Sequence, residues 1–323
     1  MFHKKVEAMS FSDIRGVTAS VKLSEKVGDK HPACTLTAIK VAQSIAKKLG
    51  VPLRLVTVFE PNDAPPWGNF PMPSGIASSN IDLHEALRLG REAALSAMRT
   101  EIMRLVDGMQ DVKATGSVVE AFDAAQGVIS DAISHSGNLI VVGTAKKSYD
   151  YSFQGFSTAL SLVNASPVPV LVVPEECELS FESPAFKVLI ADDLREGSER
   201  LLRSSIGLMS MLSPCQMNHV HILASSLWSM FSNVSEGDVR AECATEMKRR
   251  SKPFVEKLKP GSVYESDVRI GDVADTLLGL IRERRPDLVA FGRHVKLSLR
   301  PFMIGQMSAN AMLGLRKPVL IVP

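Results

Sequence analysis

The chain states one pattern twice. Leu139-Ile140-Val141-Val142-Gly143 leads to Pro169-Val170-Leu171-Val172-Val173-Pro174, and Leu288-Val289-Ala290-Phe291-Gly292 leads to Pro318-Val319-Leu320-Ile321-Val322-Pro323. Gly143 to Gly292 and Pro169 to Pro318 span the same interval, 149 positions. A strand-like run, a glycine turn, a helix-length segment and a second strand, held in register over that distance, predict two copies of one α/β domain. Each copy has a ligand cradle at its glycine.

The 323 residues accommodate two cores of about 150 residues each. Strand and helix periodicities alternate through both halves. The first half reads as strand 17–23, helix 35–49 closed by Gly50, strand 53–59, helix 82–106, strand 112–119, helix 124–134 and strand 139–142. The second reads as strand 187–191, helix 198–212, strand 219–224, helix 239–258, strand 262–270, helix 273–284 and strand 288–291. This alternation predicts doubly wound parallel sheets with helices on both faces. Domain boundaries of 13–174 and 186–323 follow, with the Glu- and Ser-rich stretch 175–185 as linker. Five prolines and two glycines between Pro61 and Ser79 predict a long loop carrying Trp67, Phe70 and Met72.

Lys plus Arg total 37 against 35 for Asp plus Glu. So balanced a chain has no field to draw it onto nucleic acid or anionic lipid. No stretch approaches the ~18 apolar residues that span a bilayer, and Met1 to Gly16 lacks a secretory apolar run. Cys34, Cys177, Cys215 and Cys243 are scattered, which fits reduced thiols. The expectation is a cytoplasmic protein.

These residues are identified as a resemblance to the universal stress protein family, in a tandem form. The family carries, after its fourth strand, Gly, two residues, Gly, nine residues, then Gly and Ser or Thr, followed by a helix and a closing strand of the PVLVVP type. The resemblance implies two five-stranded parallel sheets of strand order 3-2-1-4-5. It also implies antiparallel pairing of the two closing strands within one chain, an intrachain pseudo-dimer, with homodimerisation left open. In nucleotide-binding members ATP sits at the switch point between strands 1 and 4. Backbone N–H groups and a helix N-terminus there receive phosphate, and an acid ending strand 1 takes the adenosine end.

Matched residue by residue, the first half keeps Gly143, has Lys146 and Phe156 for the next two glycines, then Ser157, and carries Lys22 in the acid's place. A phenylalanine where backbone must meet phosphate is a steric objection, so this cradle is read as degenerate for ATP. A cationic alternative uses Lys22, Lys146 and Lys147 to hold another anion. The second half keeps Asp193, Gly292 and Gly305, with Val295 for the middle glycine and Gln306 for the serine. Ile222 and Phe291 fall where family members contact adenine, and both also suit a plain core. Asp192 is as available as Asp193 for a capping role.

His219 and His221 project from one strand face with no third metal ligand nearby, and satisfied histidines are the simpler reading. No nucleophile elbow or P-loop ending occurs. The function expected is therefore a non-enzymatic stress-response binding or regulatory module. ATP or another adenine nucleotide, with magnesium, would occupy the second half, and a protein partner of unknown identity would read it. The rivals are an ATP-hydrolysing nucleotide switch and a nucleotide-independent scaffold using the 61–79 loop.

Overall fold

The computed structural model describes residues 14–24, 29–61, 83–145, 158–177, 179, 181, 186–195, 197–224, 235–293 and 317–323. The first half contains β1 (Val17–Ser20), α1 (Ala33–Leu49), β2 (Leu53–Phe59), α2 (Leu83–Asp107), β3 (Ala114–Glu120), α3 (Ala124–Ser134), β4 (Leu139–Thr144) and α4 (Thr158–Ala165). Then come β5 (Val170–Pro174), β6 (Phe186–Asp192), α5 (Ser198–Leu212), β7 (Cys215–Ala224), α6 (Glu236–Val255), β8 (Val263–Gly271), α7 (Val273–Arg284), β9 (Leu288–Gly292) and β10 (Val319–Val322).

Two compact units result, 15–165 and 166–323. In the first, the parallel strands lie in the order β3-β2-β1-β4. In the second, β8-β7-β6-β9-β10 reproduces the expected order of third, second, first, fourth and fifth strand. The closing strands pair antiparallel as expected, Val319 with Val172, Leu320 with Leu171 and Ile321 with Val170. That pairing draws β5 into the second unit, although the sequence repeat groups it with the first half. The central strands are apolar runs buried on both faces, as parallel strands under two helix layers must be.

The repeat extends to features that carry no hydrophobic signal. Asp123 and Asp272 hold the same place in the repeat and cap α3 and α7, accepting from Gln126 N–H at 2.8 Å and Asp275 N–H at 3.0 Å. Just beyond those helices Ser136 (φ 60°) and Arg285 (φ 47°) both adopt the left-handed conformation, again at equivalent positions. Gly50 closes α1 in that conformation at φ 66°.

Two strands differ from expectation. β1 stops at Ser20, although Val21 N–H still bonds Val56 O at 2.8 Å. β7 begins at Cys215, four residues before the expected start. Its inward face there is Cys215, Met217 and a buried polar His219, and the histidine breaks the apolar alternation that marks a strand. The Pro61–Ser79 loop, apart from Pro61, lies outside the described residues, with Trp67, Phe70 and Met72. So does the helix expected after Gly292.

Candidate ligand cleft at the strand ends

In each half the strand order reverses beside the first strand, at β1/β4 and at β6/β9. The carboxyl ends of parallel strands part there and leave a crevice. The registers align the halves residue by residue. Val17 pairs with Leu139 and Leu53, and Val188 pairs with Leu288 and Met217. Val21 and Lys22 therefore stand where Asp192 and Asp193 stand.

At β4 the crevice is filled by the chain itself. A β-carbon on Gly143 would lie 2.5 Å from the carbonyl carbon of Cys34, with the carbonyl oxygen closer still. The first turn of α1 is thus packed onto the glycine. Gly143 is required here for helix–strand contact, since any β-carbon would meet the main chain of Cys34 and Thr35. Lys22 is exposed, and its carbonyl accepts from Thr35 Oγ1 at 3.3 Å. Lys146, Lys147, Phe156 and Ser157 lie outside the described residues.

At β9 no described residue crowds the glycine. Among the described residues the nearest atom to a β-carbon on Gly292 is Leu201 Cδ2, at 4.0 Å. Arg293 follows, its N–H bonded to Val322 O at 2.6 Å, and burial with Arg200 nearby pushes its side chain below the ordinary arginine value. Arg200 donates to the main-chain oxygen of Pro323 at 2.9 Å. Asp193 is one-third exposed; it accepts from Arg195 N–H at 3.2 Å and pairs with Arg195 Nε at 3.2 Å. Ala191 is in register with Phe291, and Asp192 with His221. Gly292 thus ends β9, Asp193 follows the last residue of β6, and Ile222 lies beside Asp193 two residues before the end of β7. Phe291 is buried in the sheet core and Ile222 is half-buried. Val295, Gly305 and Gln306 lie outside the described residues.

The sequence left Asp192 and Asp193 equivalent, and the fold separates them. Asp192 is buried. Its Oδ1 accepts from Ser198 Oγ at 2.5 Å and from Leu194 N–H at 3.0 Å, and its Oδ2 lies 3.0 Å from His219 Nε2. His219 Nδ1 lies 2.6 Å from the Tyr264 hydroxyl, and His221 Nδ1 is 2.9 Å from the Asp192 main-chain oxygen. Both histidines are thereby satisfied within the fold. Burial pushes the Asp192 carboxyl up, but hydrogen bonds from His219, Ser198 and Leu194 outweigh it and hold the group below the usual aspartate value. Burial pushes Tyr264 up to about 12.

Tyr264 also lines a depression of about 500 Å³ beside β8, with Lys248, Glu265, Ser266, Asp267 and Arg284. Arg284 there already serves Asn218 and Asp267, and Asp193, Ile222, Phe291 and Gly292 do not line the depression. Among the described residues no three metal-ligating side chains converge, and no helix is long and apolar enough to cross a membrane.

The family model for universal stress proteins matches twice, over residues 27–174 and 185–323. The chain belongs to the universal stress protein family. A universal stress protein of Archaeoglobus fulgidus has a similar structure at 16% identity, with 97% of this chain and 98% of that one covered and a TM-score of 0.62. A protein of Pseudomonas aeruginosa PAO1, described as functionally unknown, is similar at 14% identity over 97% and 93% of the two chains, with a TM-score of 0.57. At such identities the likeness carries the tandem fold and nothing finer. No curated protein matches in sequence. In this universal stress protein the two equivalent glycines thus differ, Gly143 being crowded by the first turn of α1 and Gly292 having no described atom nearer than 4.0 Å to a β-carbon.

Proposed function

We propose that this universal stress protein is a non-enzymatic, cytoplasmic stress-response module whose second half binds an adenine nucleotide while its first half is structural. The observation that carries the reading is the contrast between the glycines: backbone packs against Gly143, and among the described residues nothing lies within 4.0 Å of a β-carbon on Gly292 save Leu201 Cδ2 at that distance. A nucleotide fits the residues of the second crevice. Gly292 lets phosphate oxygens approach main chain, Arg293 supplies positive charge beside it, and Asp193 is the exposed carboxylate for the adenosine end. Magnesium would accompany the phosphates. In the first half, backbone fills the crevice and Lys22 replaces the acid.

The non-enzymatic reading is supported by the order of the buried polar groups. Ser198 donates a hydrogen bond to Asp192 and not to His219, so the groups are not ordered as a hydroxyl nucleophile on an imidazole base, and both Ser198 and His219 are buried.

The test is calorimetric titration of ATP with magnesium into the wild type, Gly292→Leu, Asp193→Ala and Lys22→Ala. One site per chain is expected, lost in Gly292→Leu, weakened in Asp193→Ala and unchanged in Lys22→Ala. Binding indifferent to Gly292→Leu and Asp193→Ala, or no binding by the wild type, would overturn the reading.

A further inference from the structure

The turn that presents Asp193 is strained. Leu194, a non-glycine residue, has φ 59°, a conformation that costs on the order of 1 kcal/mol or more and persists only where surroundings enforce it. The enforcing group is Asp192. Its Oδ1 takes the Leu194 N–H on one side of the turn and the Ser198 hydroxyl, at the start of α5, on the other. Its Oδ2 is braced by His219, and His219 is braced by Tyr264. An ionised carboxylate only accepts, so Nε2 carries a hydrogen toward Asp192, and the Tyr264 hydroxyl faces the other ring nitrogen, Nδ1.

This chain of polar groups is absent from the first half. The registers place Val21 at the position of Asp192, Leu55 at that of His219 and Ala114 at that of Tyr264. The same fold thus closes with apolar side chains where the crevice is blocked, and with a buried polar chain where it is open. Apolar residues of similar size are generally as stabilising as a buried ionic pair, so core stability does not call for the polar version. A satisfied polar network specifies geometry instead.

We propose that Asp192, His219 and Tyr264 are positioning residues that hold the Asp193–Arg195 turn in the conformation that offers the Asp193 carboxylate to ligand. The inference rests on the nucleotide reading of the same crevice, and its test separates the two. Asp192→Val/His219→Leu installs the pair that the first half uses, and Tyr264→Phe removes only the outer brace. Hydrogen exchange is followed on the peptide spanning 193–198 and on peptides of β6, β7 and β9, together with imidazole nitrogen shifts of His219 and ATP titration.

The double variant is expected to unfold in urea near the wild-type midpoint. Its 193–198 exchange should rise by about tenfold, with strand peptides unchanged and ATP affinity lowered by a similar factor. Tyr264→Phe removes the partner of His219 Nδ1, so it should shift that nitrogen's signal and loosen the same turn by a smaller factor. Asp193→Ala should weaken ATP and, within the turn, raise exchange at the Arg195 amide that its carboxylate accepts while leaving the Leu194 amide protected. If the wild type takes up no ATP, the nucleotide reading falls while the exchange arm still decides the positioning role. Unchanged exchange at 193–198 in the double variant and in Tyr264→Phe, or a rise spread evenly over the strands, would overturn the proposal.

Discussion

The β-carbon that Gly143 lacks would sit 2.5 Å from the carbonyl carbon of Cys34, against nothing nearer than 4.0 Å among the described residues for its counterpart Gly292. Gly143→Ala should destabilise the protein by about 2–3 kcal/mol, because the obstacle is backbone and the first turn of α1 must move. Gly292→Ala should change stability by less than about 0.5 kcal/mol. Urea unfolding of the two variants side by side measures the difference, and equal effects would contradict the packing described.

Arg54 and Asp131 form a two-pronged pair in the first half, Nε to Oδ2 at 2.5 Å and Nη2 to Oδ1 at 3.0 Å, with Ser117 donating to Asp131 at 3.1 Å. Arg54→Met leaves a buried carboxylate without its cation and should cost about 3 kcal/mol. Arg54→Met/Asp131→Leu should recover most of that loss. A double variant no more stable than the single one, by chemical denaturation, would contradict this account.

Asp192 titrates below its unfolded value in the native state. Its contribution to stability is therefore complete above the unfolded value, near 3.8, and is lost as pH falls through the lower folded value. Between about pH 4 and pH 2 the wild type should lose stability more steeply than Asp192→Val/His219→Leu. Parallel acid limbs in urea midpoints against pH would remove Asp192 from the account.

Tyr264 behaves in the opposite sense. Its pKa is raised from 10.0 to about 12, so the folded protein keeps a proton that the unfolded chain has released, and stability falls as pH rises through that window. Tyr264→Phe should flatten the alkaline limb of the stability curve. In the wild type one of the three tyrosines should ionise late by ultraviolet absorbance. Three tyrosines ionising together near their ordinary value would refute the burial argument.

Much of the fold was legible in the chain. Helices 124–134, 198–212 and 273–284 and strand 53–59 fall where periodicity puts them, since capping and apolar spacing are local properties. The family pattern brought Asp193, Ile222, Phe291 and Gly292 to one end of adjacent strands. The polar chain from Ser198 to Tyr264 was not legible. His219 and Tyr264 become neighbours only through the β7/β8 register, and a histidine among apolar residues gives no sign of the aspartate it will meet.

By itself, then, the sequence determined a duplicated α/β architecture, and its strand order through the family pattern, because each rests on spacing along the chain. Only the tertiary structure decided which glycine is crowded by main chain and which of two adjacent aspartates is buried. The first depends on the main chain of α1 reaching the end of β4, and the second on strand register. Both are contacts between segments far apart in the chain, which residue spacing does not encode.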